Sequence, residues 1–148
     1  MKKIIIILVL LSFNLFGWQT FTTDAGGVGI RQNGVTGAKN AKLEIFKQND
    51  KYKVLFTSLT NKLFFYETGF GERCDMDIIN DLGKGENTII LGFPITENST
   101  QFGIGEGFVN YLTSSKWIKL SVPVGDGTKK VFKFDMVGLE KAINKIEE

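Results

Sequence analysis

Apolar residues recur at every second position through most of this chain, and that period suits extended strands with one face turned inward. From Lys42 onward Leu43 and Ile45 alternate with Lys42 and Glu44. Asn49-Asp50 supplies a turn, after which Tyr52, Val54 and Phe56 alternate with Lys53, Leu55 and Thr57; together these predict a hairpin. Trp117, Lys119 and Ser121 alternate with Ile118, Leu120 and Val122, and Pro123 is expected to end that run. Gly125 to Thr128 turns the chain, and Lys130 to Asp135 returns with Phe132 and Phe134 on one face. Further strands are expected over Lys62–Thr68 and Cys74–Ile79, with a buried one over Thr88–Phe93. Thr22 to Gly37 is rich in glycine and reads as strands with turns or a loose lead-in.

Two short stretches switch to the helical period. Phe108, Tyr111 and Leu112 fall at i, i+3, i+4, and Leu139, Ala142, Ile143 and Ile146 at i, i+3, i+4, i+7. Asp135 is the expected N-cap of the last helix, although Gly138 weakens its first turn. The expected fold class is α+β and mainly β. It would be an antiparallel sandwich or partly open barrel of about seven short strands, with two short peripheral helices, the last at the C-terminus.

The first seventeen residues stand apart. Lys2 and Lys3 precede an apolar run of 13 residues, Ile4 to Phe16, too short to cross a hydrocarbon core of about 30 Å as a helix. Gly17 follows as a small residue before Trp18. The pattern is that of a secretory signal peptide over 1–17, ahead of a single domain over 18–148, and it implies export to the periplasm or the exterior without a stable membrane anchor. No cysteine lies near the junction for lipid attachment. Residues 1–17 hold two of the 18 Lys and Arg and none of the 16 Asp and Glu, so residues 18–148 are balanced at 16 of each. A neutral domain gives little support to a nucleic-acid partner.

The absence of histidine excludes histidine triads, histidine metal ligands and histidine-ligated haem. Cys74 is the only cysteine, so no intrachain disulfide forms and burial is the expected fate of the thiol. Asp75, Asp77, Asp81 and Glu86 match positions 1, 3, 7 and 12 of a calcium loop, but Ile79 and Asn80 stand where an oxygen ligand and a glycine belong. On a strand, Asp75 and Asp77 would share one face about 7 Å apart, a separation that suits paired carboxylates of a glycan hydrolase and equally a solvated strand. Gly103, Gly105 and Gly107 lack the spacing of a phosphate loop, and Lys84 between Gly83 and Gly85 is no Walker motif. The Thr113–Lys116 stretch offers hydroxyls near an amine without Ser-x-x-Lys spacing, and Asn98-Ser99-Thr100 is a glycosylation sequon.

No catalytic residue, metal ligand or cofactor site is therefore expected. Aromatic residues are abundant and mostly fall on apolar strand faces. Trp117 shares the polar face of its strand with Lys119, so it belongs either to an interface or beneath the C-terminal helix. Tyr111 and Phe65 are the other aromatic interface candidates.

The order of elements resembles a known family. Trp18 follows the leader directly, and Gly107, Phe108 and Leu112 form a Gly-Phe-x-x-x-Leu segment. Two strands follow, ending at Phe134-Asp135, and then a Gly-Leu-x-x-Ala helix at Gly138, Leu139 and Ala142. This is similar to the small periplasmic type VI secretion-associated proteins and, more distantly, to the invasion-associated locus B proteins, which usually carry paired cysteines where this chain has Cys74 alone. The resemblance covers mainly residues 100–147. It implies a non-catalytic envelope protein, with no catalytic residue to carry over. The leader, the neutral domain and the lack of a catalytic constellation lead to the expectation of an exported binding or accessory protein that holds a protein partner, within a secretion or host-interaction system. The carboxylate hydrolase and the calcium-stabilised secreted module, both built on the acidic cluster, are the alternatives.

Overall fold

The period-two segments form strands, and nearly all of them join one sheet. A computed structural model describes residues 14–15, 17–24, 26–33, 40–84, 88–103 and 105–147. In chain order the elements are β1 (Asn14–Leu15), β2 (Trp18–Thr22), β3 (Val28–Asn33), β4 (Ala41–Gln48), β5 (Lys51–Ser58), β6 (Tyr66–Thr68), β7 (Gly71–Asn80), β8 (Thr88–Thr96), β9 (Ser99–Phe102), α1 (Glu106–Thr113), β10 (Trp117–Val124), β11 (Thr128–Asp135) and α2 (Leu139–Ile146). Ten strands run in the order β1-β2-β3-β4-β5-β9-β8-β7-β10-β11 as an open antiparallel sheet, and β6 pairs with β7 off that path.

Local chemistry explains the two long hairpins. Asn49 and Asp50 both adopt left-handed φ, 51° and 61°, as a two-residue turn requires, and Gln48 pairs with Lys51 across it. Between β10 and β11, Gly125 and Gly127 take φ of 53° and 98°. Asp126 accepts from the Thr128 backbone N–H at 3.0 Å and from its hydroxyl at 2.6 Å. Those bonds hold the Asp126 carboxyl below its ordinary pKa.

The inward side chains of both arms of the sheet fill one core. Leu43, Ile45, Val54 and Phe56 meet Met76, Ile118, Leu120, Val122, Phe132 and Phe134 there. Phe56 of β5 packs edge-to-face on Phe132 (5.0 Å between centroids) and Phe134 (6.2 Å) of β11. The Asp135 backbone N–H donates to Gln32 Oε1 at 2.8 Å and ties β11 to β3. Leu139, Ala142 and Ile143 of α2 are buried, and the helix packs against β2 and β3. Asn80, at 1 % exposure, organises the β7–β8 turn. Its Oδ1 accepts from Leu82 and Lys84 N–H groups and its Nδ2 donates to Ser115 Oγ.

The strand count exceeds the expected seven, because β1, β2, β3 and β9 add pairs in segments without clean alternation; β7 and β8 are also longer than predicted. Only Tyr66–Thr68 of the Lys62–Thr68 segment is a strand; Leu63 bridges Val124 and Phe64 N–H donates to the Pro123 carbonyl first. Pro123 does not end β10, which continues to Val124. Asp135 does not cap α2, since its carboxylate accepts from Val137 N–H and Gly138 (φ 83°) occupies the cap position. The expectation that Thr88–Phe93 is buried fails on one face: Ile89, Leu91 and Phe93 point outward and are exposed. The leader reading lies outside the described residues except for 14, 15 and 17, where β1 pairs with β2.

Two substitutions probe this core. Phe132→Ala removes a buried ring that packs on Phe56 and should cost about 3–5 kcal/mol. At Gly92 an added Cβ would stand 2.2 Å from Thr100 Oγ1 and 3.1 Å from Met76 Cε, so Gly92→Ala should cost about 1–3 kcal/mol by overpacking. Urea unfolding of each variant beside the parent protein measures both.

Candidate functional site

The parity of β8 creates the surface with the clearest physical oddity. Gly92 is buried and Ile90 and Pro94 are half-buried, whereas Ile89, Leu91, Phe93 and Ile95 are 58, 41, 51 and 54 % exposed. The strand thus turns its row of large apolar side chains to solvent and keeps glycine and proline on its other parity. Thr100 occupies the space that a side chain at position 92 would need, and its hydroxyl donates to the Phe93 carbonyl at 3.0 Å. A shift of one residue would exchange the two faces, so this contact bears directly on which row is outside.

The row continues across the sheet. Ile89 lies opposite Asp77 on β7, and Ile79, two residues on, is half-buried on the same face. Ile79 in turn lies opposite Lys119 of β10, with Trp117 diagonal to it. Trp117 is half-buried, and its ring has the Lys119 ammonium at 5.3 Å and the Lys133 ammonium at 4.9 Å from the centroid. Lys119 and Lys133 are directly opposite one another across β10 and β11. Among the described residues neither forms an ion pair. Two like charges at facing positions cost stability, so this pair is unexplained by the fold alone.

The acids beside the row are engaged separately. Asp75 Oδ2 accepts from the Tyr66 hydroxyl at 2.7 Å, and Arg73 donates to that hydroxyl at 3.2 Å. Asp77 pairs with Lys129, and Asp81 accepts from the Lys116 backbone N–H at 2.7 Å. Asp75 and Asp77 do share a strand face, and Asp81 serves a different turn. Glu86 lies outside the described residues. Among the described residues no group of three or more Cys, Asp or Glu gathers as a metal site.

The four interface candidates from the sequence divide between sites. Trp117 and Lys119 join the outer face just described, and helix α2 lies against β2 and β3 rather than over Trp117. Tyr111 stacks on Phe108 at 6.0 Å, and its hydroxyl donates to the Lys84 carbonyl at 2.7 Å. Burial, followed by the nearby Asp81 charge, raises the Tyr111 pKa. Phe65 is half-buried against the core before β6. Sequence reasoning missed the β8 row, although its signal was present: Ile89, Leu91, Phe93 and Ile95 share one parity, opposite Gly92 and Pro94.

The other motifs resolve into structural roles. Gly103 has φ of 64°, and a Cβ added there would stand 2.6 Å from the Phe108 ring. Ser115 is buried, donating to the Tyr111 carbonyl and accepting from Asn80. Asn98 donates to the Ser58 and Asn61 carbonyls, each at 3.3 Å. On the other arm of the sheet a concavity of about 650 Å³ is lined by Phe21, Arg31, Glu44, Phe46 and Leu55. The Phe21 ring lies over Gly29, Arg31 stacks on that ring at 4.2 Å, and Glu44 is buried between Arg31 and Lys42 at 3.4 and 3.5 Å. Arg31 and Glu44 offset one another on the floor of the concavity.

No protein-family model matches the chain, and no curated protein or solved structure shows significant similarity to it.

Cys74 is fully buried, and desolvation, helped by the Asp75 charge, pushes its thiol up to about 12 from 9.0 despite an opposing effect of Lys129. The native thiol should therefore react with a disulfide reagent only as fast as the protein unfolds. Above the ordinary value of 9.0 the unfolded chain ionises first, so stability should fall with pH, by about 1.4 kcal/mol per unit at most. The slope of the urea midpoint against pH in that range should flatten in Cys74→Ala.

Proposed function

We propose that this protein is an exported, non-catalytic binding or accessory protein of a cell envelope, periplasmic or secreted, and that it holds a protein partner on the outer face of β8, β7, β10 and β11. The observation that carries this reading is the inverted strand β8, whose four large apolar side chains face solvent from the middle of the sheet. Scattered exposed apolar residues are ordinary, but a contiguous row is the surface signature of a partner. Trp117 extends the row with an aromatic anchor of the kind enriched at interfaces. The leader pattern in residues 1–17 supports export, and the resemblance to small periplasmic type VI secretion-associated proteins points to the same compartment and class. The separate engagement of Asp75, Asp77 and Asp81 favours neither the hydrolase nor the calcium reading. We further propose that the open sheet curls into a partly open barrel. The contacts of Phe56 with Phe132 and Phe134, and of Gln32 with Asp135, support that closure.

A photo-crosslinking residue at position 91 of the C-terminally tagged, full-length chain tests the reading in its own cells. The expected result is a bait shortened by about seventeen residues, as the leader pattern requires, and one reproducible cross-linked envelope protein. That adduct should disappear in a Phe93→Lys background. An unprocessed bait, or no specific adduct, overturns the proposal.

A further inference from the structure

We infer that the partner presents an acidic amphipathic helix, its apolar side laid along β8 and its carboxylates set against Lys119 and Lys133. The inference rests on the binding reading above and names the chemistry of its partner.

Backbone pairing supplies the first step. β8 pairs with β7 over Thr88–Gly92 and with β9 over Phe93–Thr96, so it lies inside the strand path and is not an edge to which a partner adds a strand. Only side chains are on offer, and a face of this kind is covered by another layer. The apolar track runs Ile95, Phe93, Leu91, Ile89 along β8, then diagonally through Ile79 to Trp117. Successive outward residues on a strand are about 7 Å apart, so the track is long and narrow, on the order of 30 Å end to end. A helix of about 20 residues has that length, and its apolar stripe is similarly narrow.

Charge decides the sign of the partner. Arg73, Asp75, Asp77, Lys119, Lys129, Lys133 and Asp135 share or border this face. Asp77 and Lys129 neutralise one another, Arg73 and Asp75 meet at the Tyr66 hydroxyl, and Asp135 keeps its charge while accepting from the Val137 N–H, so the face holds four cations against three carboxylates. Among the described residues Lys119 and Lys133 form no ion pair, and both ammonium groups lie over the Trp117 ring. A carboxylate placed between them relieves their repulsion and completes the site. The same two lysines would attract an anionic bilayer, but Asp75 and Asp77 lie between them and the apolar row, and a bilayer covering the track would have to bury both carboxylates.

The test uses the purified, processed protein and two synthetic amphipathic helical peptides with identical leucine faces, one with glutamate and the other with lysine on its polar face. Binding is read by fluorescence anisotropy at low salt. The glutamate peptide should bind at least about tenfold tighter than its counterpart, with a preference that weakens as salt is added. Lys119→Glu combined with Lys133→Glu should abolish or reverse the preference, and Leu91→Asp should remove binding of both peptides. All three positions are outward, and unfolding curves of the variants verify that the fold persists. Equal affinities, absence of binding, a preference for the lysine peptide, or a preference that survives the double substitution overturns the inference. Binding to anionic vesicles in place of peptide also overturns it. If position 91 still captures an envelope protein in cells while the peptides show no charge preference, the binding reading stands and only the acidic-helix assignment falls.

Discussion

The packing of Gly92 against Thr100 is the constraint on which the functional surface depends. Thr100 is fully buried, its hydroxyl spent on the Phe93 carbonyl, and the atom it places beside Gly92 leaves no room for a side chain. Strand parity is binary, so fixing one residue inward fixes Ile89, Leu91, Phe93 and Ile95 outward. A strand with ordinary amphipathicity would have buried those four side chains and left glycine and proline in water. The gain from such burial, about 1.5–3 kcal/mol for each large apolar side chain, is forgone in the isolated chain. A covering layer would recover part of it.

The sheet is also organised to limit unwanted association. β11 ends the strand path, and an end strand exposes unpaired backbone groups that invite further strands. It carries Lys129, Lys130 and Lys133, and charged side chains on an edge discourage growth of the sheet. That edge is therefore guarded by charge while the middle of the outer face is apolar. That distribution favours recognition through a face over association through an edge.

Cys74 and the acids illustrate how burial and pairing assign roles that residue type alone leaves open. The thiol sits among core side chains, where desolvation disfavours the thiolate, so it serves as a small apolar residue. Asp75, Asp77 and Asp81 lie close in sequence but are directed to a tyrosine hydroxyl, a lysine and a backbone N–H. Asp81 is set apart because β7 ends at Asn80 and Asp81 lies in the turn beyond it, and a different partner then occupies each acid.

Local structure was legible in the sequence wherever one period was clean and turn chemistry agreed with it. The Asn49-Asp50 and Gly125–Thr128 hairpins, the wet face of β7 and the terminal helix were legible because neighbouring residues decide those features through dihedral preference and side-chain period. The sequence also excluded histidine chemistry and intrachain disulfides by composition. Only the folded sheet decided which face of β8 is inside and how far β7 and β8 extend. It also placed Lys119 and Lys133 opposite each other beside Trp117. These outcomes depend on cross-strand pairs, such as Gly92 with Thr100 and Lys119 with Lys133, whose register and facing are set by packing. A periodic pattern identifies two faces of a strand but does not state which one the core will receive.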